Sequence, residues 1–264
     1  MQFSLPPISP FLELIELQKR RPDKIILRDH YSGVTATAGQ LLFSVSQFRE
    51  KLRTTLLQSG IYDGVEESDD KFIFLLAPPG WEYVVSMLTI FSLGAGLSAQ
   101  CKKLSPDGYF NVLIMYVAMV IKPEEMIRFF KLSNPLALLY ASAFTDKVQV
   151  IKASCDENCS GVNQKLSFVE IQTSYSDPLA SHIYVVESSY VPNPAQTGSL
   201  FFTSGTSGNQ KGVVHSYQAL LASARERIST WKLTEDDVVL NQKPGNWMGG
   251  IFGIVPTLMS GACL

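Results

Sequence analysis

Apolar residues recur at two spacings along this chain, and the alternation between them predicts the order of its elements. Phe11, Leu12, Leu14, Ile15 and Leu17 form a broad apolar face, which predicts a helix over residues 10–21. Arg21-Pro22-Asp23 stops it, and a short buried strand is expected at 25–27. Thr37 and Gln40 have the spacing of a capping box, in which a hydroxyl and an amide side chain satisfy each other's backbone groups. The helix that follows carries Leu41, Leu42, Val45, Phe48, Leu52 and Leu56 at helical spacing. Residues 72–76 are a continuous apolar run of strand length. Ala77-Pro-Pro-Gly80 breaks that run, and 81–93 reads as a second buried helix closed by Gly94 and Gly96. Lys122-Pro-Glu-Glu125 is a helix start with acidic residues in its first turn. Helix and strand character alternate from there to 151, and 156–164 is polar and reads as a loop. Short strands are expected at 168–171, 183–186, 199–202 and 213–216, and a helix at 217–231. Helices alternating with short buried strands indicate an α/β fold.

Composition narrows the class without changing that picture. The chain has 264 residues, of which 46% are hydrophobic and only 17% charged, so much of it is expected to be buried. That length fits one large domain or two small ones. A net charge of −2 gives no global attraction to nucleic acid or to an anionic membrane. The first eleven residues lack the basic-then-apolar pattern of a leader. The apolar run 112–121 is far short of a membrane span of ~20 residues. A cytoplasmic setting without a membrane span is the expectation. Cys101, Cys155, Cys159 and Cys263 are too few and scattered for a disulfide scaffold. Cys155 and Cys159 have no nearby Cys or His pair to complete a metal site, and read as loop thiols. No metal ligands are assigned.

The chemistry concentrates in residues 203–212, TSGTSGNQKG, set between two β-branched or aromatic runs. Glycine lets backbone approach a ligand closely and present its N–H groups. Four hydroxyls add donors, no acidic side chain intervenes, and Lys211 supplies a full positive charge. That combination points to a polyphosphate-binding loop. The common phosphate loop places Gly-Lys-Ser/Thr in succession, whereas here Asn209 and Gln210 separate Gly208 from Lys211. The glycine spacing does not match a dinucleotide fingerprint either. A flexible surface linker is the plain alternative for a Ser/Thr/Gly stretch. The flanking strands and the fixed cation favour the phosphate reading.

With these residues in view, the segment resembles the signature loop of the adenylate-forming superfamily, which includes acyl-CoA synthetases, luciferases and nonribosomal adenylation domains. The signature usually has proline where Gln210 stands. Other pieces are similar to the family in order: Arg21 to Ile25, residues 37–41, and 72–96 with its Leu-Gly-Ala end. Downstream, Asn246-Trp-Met-Gly-Gly250 stands where the family lines its acyl pocket, ahead of Ser260-Gly-Ala262. Trp247 occupies a place where many members have histidine or another aromatic.

The resemblance implies the N-terminal subdomains of an adenylate-forming enzyme, sheets flanked by helices. The first subdomain is expected over 1–190, and the phosphate-loop segment with the start of a second over 191–264. It implies attack of a carboxylate on the α-phosphate of ATP, with Mg2+, followed by thioester formation on coenzyme A or an acyl carrier protein. Thr203, Ser204, Gly205, Thr206, Ser207, Gly208 and Lys211 would bind the phosphates, with Lys211 the catalytic cation. Trp247, Gly249 and Gly250 would line the substrate pocket. The family's later motifs, for adenine, magnesium, ribose and the C-terminal lysine, have no counterpart before Leu264, so the chain is expected to be truncated. Residues 101–121 interrupt the usual course between Gln100 and Lys122, either as a retained intron or gene-model error or as a true inserted hairpin. Two function classes stay open: a fragment of an acyl-activating ligase, or a catalytically inactive phosphate-binding remnant. Glu124 and Glu125 read as a charge pair at a helix N-terminus. His215 reads as sheet-face packing, His30 and His182 have no visible partners, and Arg225 and Arg227 read as a solvated helix face.

Overall fold

The structure, a computed structural model, describes residues 2–60, 71–100, 122–158, 166–173, 182–187, 193, 195–203, 210–243, 245 and 247–264. The segment 101–121 and loop residues 204–209 lie outside the described residues.

Strand β1 (Gln2–Leu5) leads to α1 (Phe11–Arg20), whose Phe11, Leu14, Ile15 and Leu17 are buried. β2 (Ile25–Arg28) and β3 (Thr35–Thr37) pair antiparallel. Thr37 then caps α2 (Ala38–Gln58), and both bonds of the expected capping box are present. The Gln40 amide donates to Thr37 Oγ1 at 3.3 Å, and the Thr37 amide donates to Gln40 Oε1 at 2.9 Å. β4 (Phe72–Leu76), buried throughout, passes through a Pro-Pro-Gly turn into α3 (Trp81–Ser92). Asp29 Oδ2 accepts from the Trp81 amide at 3.0 Å, so a carboxylate 52 residues away serves the first turn of α3. Gly94, at φ 69°, ends that helix in the left-handed region. Gly96, expected to close it too, instead opens β5 (Gly96–Gln100) beside Thr197.

α4 (Pro123–Ser133), β6 (Ala137–Tyr140), a short 3-10 turn at Ser142–Phe144 and α5 (Thr145–Asn158) follow. Cys155, expected in a loop, lies buried on α5, because the helix continues into the polar stretch. β7 (Ser167–Glu170), β8 (Ile183–Val186), β9 (Thr197–Phe202), β10 (Gly212–Ser216), α6 (Tyr217–Trp231) and α7 (Met248–Ser260) complete the order.

Six strands form the main sheet in the order β10-β9-β5-β4-β6-β7, parallel except for β10, which runs antiparallel to β9 at one edge. Strands from both sides of residue 190 thus share one sheet. β4 lies at its centre, buried on both faces, as parallel strands covered by helices must be. α2 packs on α3, α6 on α7, and α1 on both α2 and α7. β1 and β8 make a separate parallel pair. It is tied to α2 by Arg49, which donates to Glu187 at 3.0 and 3.1 Å and to the Ser4 carbonyl at 2.9 Å. Val238 and Cys263 form a parallel bridge, and the Arg28 amide donates to the Leu264 carbonyl at 2.8 Å. The segment at 262–264 is thereby laid against β2. Among the described residues, no helix is long and apolar enough to cross a membrane.

Candidate functional site

β9 and β10 form an antiparallel pair at the sheet edge, and the chain connecting them is the glycine- and hydroxyl-rich segment. The pair is in register from Phe202 opposite Gly212 to Ser199 opposite His215. Two hydrogen bonds close the mouth of the connection. The Thr203 amide donates to the Lys211 carbonyl at 2.9 Å, and the Lys211 amide donates to Thr203 Oγ1 at 3.0 Å. Thr203 and Lys211 are therefore held directly opposite each other, both exposed. Ser204, Gly205, Thr206, Ser207 and Gly208, also expected to bind phosphate, lie outside the described residues.

Why the chain folds this way here follows from its neighbours. Gly198 in β9 lies against the start of α6: a Cβ on it would sit 2.9 Å from Tyr217 Cα and 3.0 Å from Tyr217 N. Only a residue without a Cβ fits that approach. The Tyr217 amide donates to the Gln196 carbonyl at 2.7 Å across the same junction. Ser216 caps α6 by accepting from the Ala219 amide at 3.1 Å. Phe202, the last residue of β9, stacks on Phe129 of α4, with centroids 3.9 Å apart and rings 10° from parallel. The adjacent Phe130 meets Phe74 of β4 edge-on at 5.1 Å.

Gln210 is bound through both ends of its side-chain amide. Its Nε2 donates to Glu125 Oε1 at 2.5 Å, and its Oε1 accepts from Arg128 Nη2 at 2.8 Å. Glu125 is thus more than a charge at a helix start: it reaches the base of the loop. The departure from the usual proline was visible in the sequence, but its partners, 82 and 85 residues away, were not.

The three expected pocket residues sit together at the start of α7. Trp247 occupies the N-cap position and is half exposed. The Gly250 amide donates to the Trp247 carbonyl at 2.9 Å. Gly250 is buried, and Gly249 abuts the Lys243 side chain. Nearby, the Tyr83 hydroxyl donates to the Gly245 carbonyl at 3.2 Å, fixing this turn to α3. His215 of β10 meets Phe201 and Phe252 edge-on, at 5.9 and 6.1 Å, so it packs on the sheet face as expected. Its Nε2 is buried and has no hydrogen-bond partner among the described residues. The Arg227 guanidinium lies 5.2 Å from the Trp231 ring and 5.5 Å from the Phe252 ring. That corrects the solvated-face reading for Arg227, since a guanidinium stacks favourably on aromatic faces, whereas Arg225 is exposed as expected. His182, which had no partner visible in the sequence, stacks on Phe43 at 4.9 Å.

Two carboxylates near the start of α3 have opposite electrostatics. Asp29 is partly desolvated, which alone would raise its pKa. Bonds from the Ser32 hydroxyl and from the Trp81, Tyr31 and Ser32 amides outweigh this and lower it. Glu82 is raised, first by burial and then by the negative charges of Asp29 and Glu170.

In a comparison with known families, the model for AMP-binding enzymes matches residues 16–264. The chain belongs to the AMP-binding enzyme family. An acyl-CoA ligase of Aspergillus oryzae, oryP, is 26% identical over 218 residues, covering 83% of this chain and 34% of that protein. A CoA ligase of Gibberella moniliformis is 24% identical over 238 residues, covering 89% of this chain and 34% of its own length. The chain thus spans about a third of the length of the curated relatives it matches. Among solved structures, the inhibitor-bound N-terminal domain of FACL13 from Mycobacterium tuberculosis superposes with a TM-score of 0.66 at 15% identity. That match covers 96% of this chain and 55% of that one. It shows a shared fold: a mixed α/β domain with a central sheet flanked by helices.

Proposed function

We propose that this AMP-binding chain is the N-terminal part of an ATP-dependent acyl-activating ligase, and that its β9–β10 loop holds the leaving pyrophosphate. In the reaction, a carboxylate oxygen attacks the α-phosphorus of ATP, and the bond to the bridging oxygen breaks. Pyrophosphate departs with that electron pair. The acyl-adenylate then yields its acyl group to a thiol, of coenzyme A or a carrier protein, and AMP leaves.

The observation that carries this reading is the fixed opposition of Thr203 and Lys211 at the mouth of the loop. A preorganised cation and donors aimed where charge accumulates stabilise the departing anion. The contiguous hydroxyls and glycines of 204–208 would supply the remaining donors. Trp247, Gly249 and Gly250 would border the acyl group at the start of α7. Support also comes from the relatives, which are named as acyl-CoA and CoA ligases. A D-alanine–D-alanyl carrier protein ligase of Bacillus mycoides, 27% identical over 155 residues, keeps a carrier protein open as the thiol partner. Among the described residues no group of three or more His, Cys, Asp or Glu side chains could hold a metal, and Mg2+ accompanying ATP would be held chiefly by the phosphates with one or two carboxylates.

The test is ATP–pyrophosphate exchange by the chain with a panel of short, fatty and aromatic carboxylic acids, alongside calorimetric binding of ATP and pyrophosphate. Lys211→Ala should abolish exchange and weaken pyrophosphate binding about tenfold, leaving it measurable, while changing stability by less than about 0.5 kcal/mol, because the side chain is exposed. Binding of pyrophosphate without exchange for any acid would support the loop's phosphate role and assign turnover to no residue of this chain alone, which spans about a third of the ligases it resembles. Absence of binding would overturn the phosphate reading itself.

A further inference from the structure

Both ends of the β9–β10 connection are fastened to one face of one helix. Glu125, Arg128 and Phe129 stand at i, i+3 and i+4 on α4, the spacing that places side chains on a common face. Phe129 stacks on Phe202, where the chain leaves β9. Arg128, next to it, and Glu125, one turn earlier, grip Gln210, where the chain returns toward β10. Phe130 anchors the helix to the centre of the sheet through Phe74.

We propose that Gln210 is a positioning residue. With Glu125 and Arg128 it locks the returning strand to α4, and thereby holds Lys211 opposite Thr203 for a polyphosphate. This rests on the phosphate reading above. The chemistry selects glutamine specifically. A side-chain amide carries a donor and an acceptor at one end, and here each meets a charged partner of matching polarity. A leucine offers neither group. A glutamate would face Glu125 with like charge and lose the donor. Proline, usual in the resembling signature, would stiffen the backbone but leave Glu125 and Arg128 unconnected to the loop. The clamp is therefore a device of this chain, replacing a stiff residue by a tether to the helix.

The experiment uses the full chain and two readouts. The first is hydrogen exchange at the Thr203 and Lys211 amides, which close the loop mouth and report the clamp without any ligand. The second is calorimetric affinity for inorganic pyrophosphate. In Gln210→Leu, exchange at both amides should accelerate about tenfold, and pyrophosphate affinity should fall about tenfold, with the melting temperature unchanged. Glu125→Gln keeps an acceptor for Gln210 and should stay within about twofold of wild type, whereas Glu125→Leu should match Gln210→Leu. Because the clamp acts through Lys211, Gln210→Leu should cost no further affinity in a Lys211→Ala background. A general loss of structure would lower affinity in both backgrounds.

Unchanged exchange in Gln210→Leu overturns the proposal, as does unchanged pyrophosphate affinity where the wild-type chain binds it. If the wild-type chain binds no pyrophosphate, the phosphate reading fails. The proposed role for Lys211 then falls with it, and the exchange data separately decide whether the tether exists.

Discussion

Gly198→Ala tests whether the close approach of β9 to α6 sets the geometry of the loop. The added Cβ would stand 2.9 Å from Tyr217 Cα, 3.0 Å from Tyr217 N and 3.2 Å from the Ser216 carbonyl carbon. Ordinary carbon contacts lie at about 3.5–4.0 Å, so strand and helix must part by roughly half an ångström or more. All three obstructing atoms are backbone, and no rotamer change relieves them. Overpacking of this kind costs about 1–3 kcal/mol, and a backbone obstruction belongs at the upper end. Replacing glycine also stiffens the unfolded chain, which returns about 0.4–1 kcal/mol. The net expectation is a loss of about 1–2 kcal/mol, or a melting temperature lower by roughly 2–8 °C for a chain of this size. Urea unfolding followed by circular dichroism measures it. Gly212→Ala is the control: its Cβ would meet Leu200 Cδ1 at 3.0 Å, a flexible side-chain tip that can move, so its cost should be smaller by at least half. Equal stability of Gly198→Ala and wild type, or of the two variants, would refute the reasoning.

Two further changes probe other contacts. Glu82→Gln should stabilise the protein at neutral pH, because burial and the charges of Asp29 and Glu170 disfavour the ionised form and raise its pKa. A raised carboxyl costs stability above its folded pKa. That cost is relieved as pH falls toward the unfolded value of about 4.3, so the variant's advantage should shrink over that window. Melting curves at pH 7 and pH 4 check this, and an advantage that grows on acidification would reverse the sign. Thr37→Ala removes the hydroxyl half of the capping box and should cost about 1 kcal/mol by urea unfolding; a neutral result would show that pairing of β3 with β2 already holds the start of α2.

Local patterns were legible in the sequence where local forces decide the structure. The strand at 72–76, the helix at 217–231 and the capping box at Thr37 were all readable from a few consecutive residues. Elements held by distant partners were not. β1 is four residues long and exists through pairing with β8, in the register Gln2 to Ile183. α7 contains Gly249, Gly250, Gly253 and Pro256, a composition that argues against a helix. Burial of Ile251, Phe252, Ile254, Val255 and Leu258 overrides that propensity, as tertiary packing does for most helices. Asp29 and Trp81 likewise meet only after folding.

The candidate site divides along the same line. Its chemistry is local, because a phosphate loop must concentrate donors and positive charge within a few residues. Its geometry is not, because the placement of a loop's ends is set by the distant elements they are tied to. Here the ties are Phe202 to Phe129, Gly198 to Tyr217, and Gln210 to Glu125 and Arg128. Two of the three run to α4. Changes along that helix should therefore act on polyphosphate binding even though α4 contributes none of the proposed phosphate ligands. The residue that departs from the resembling signature is also the residue that makes this dependence strongest.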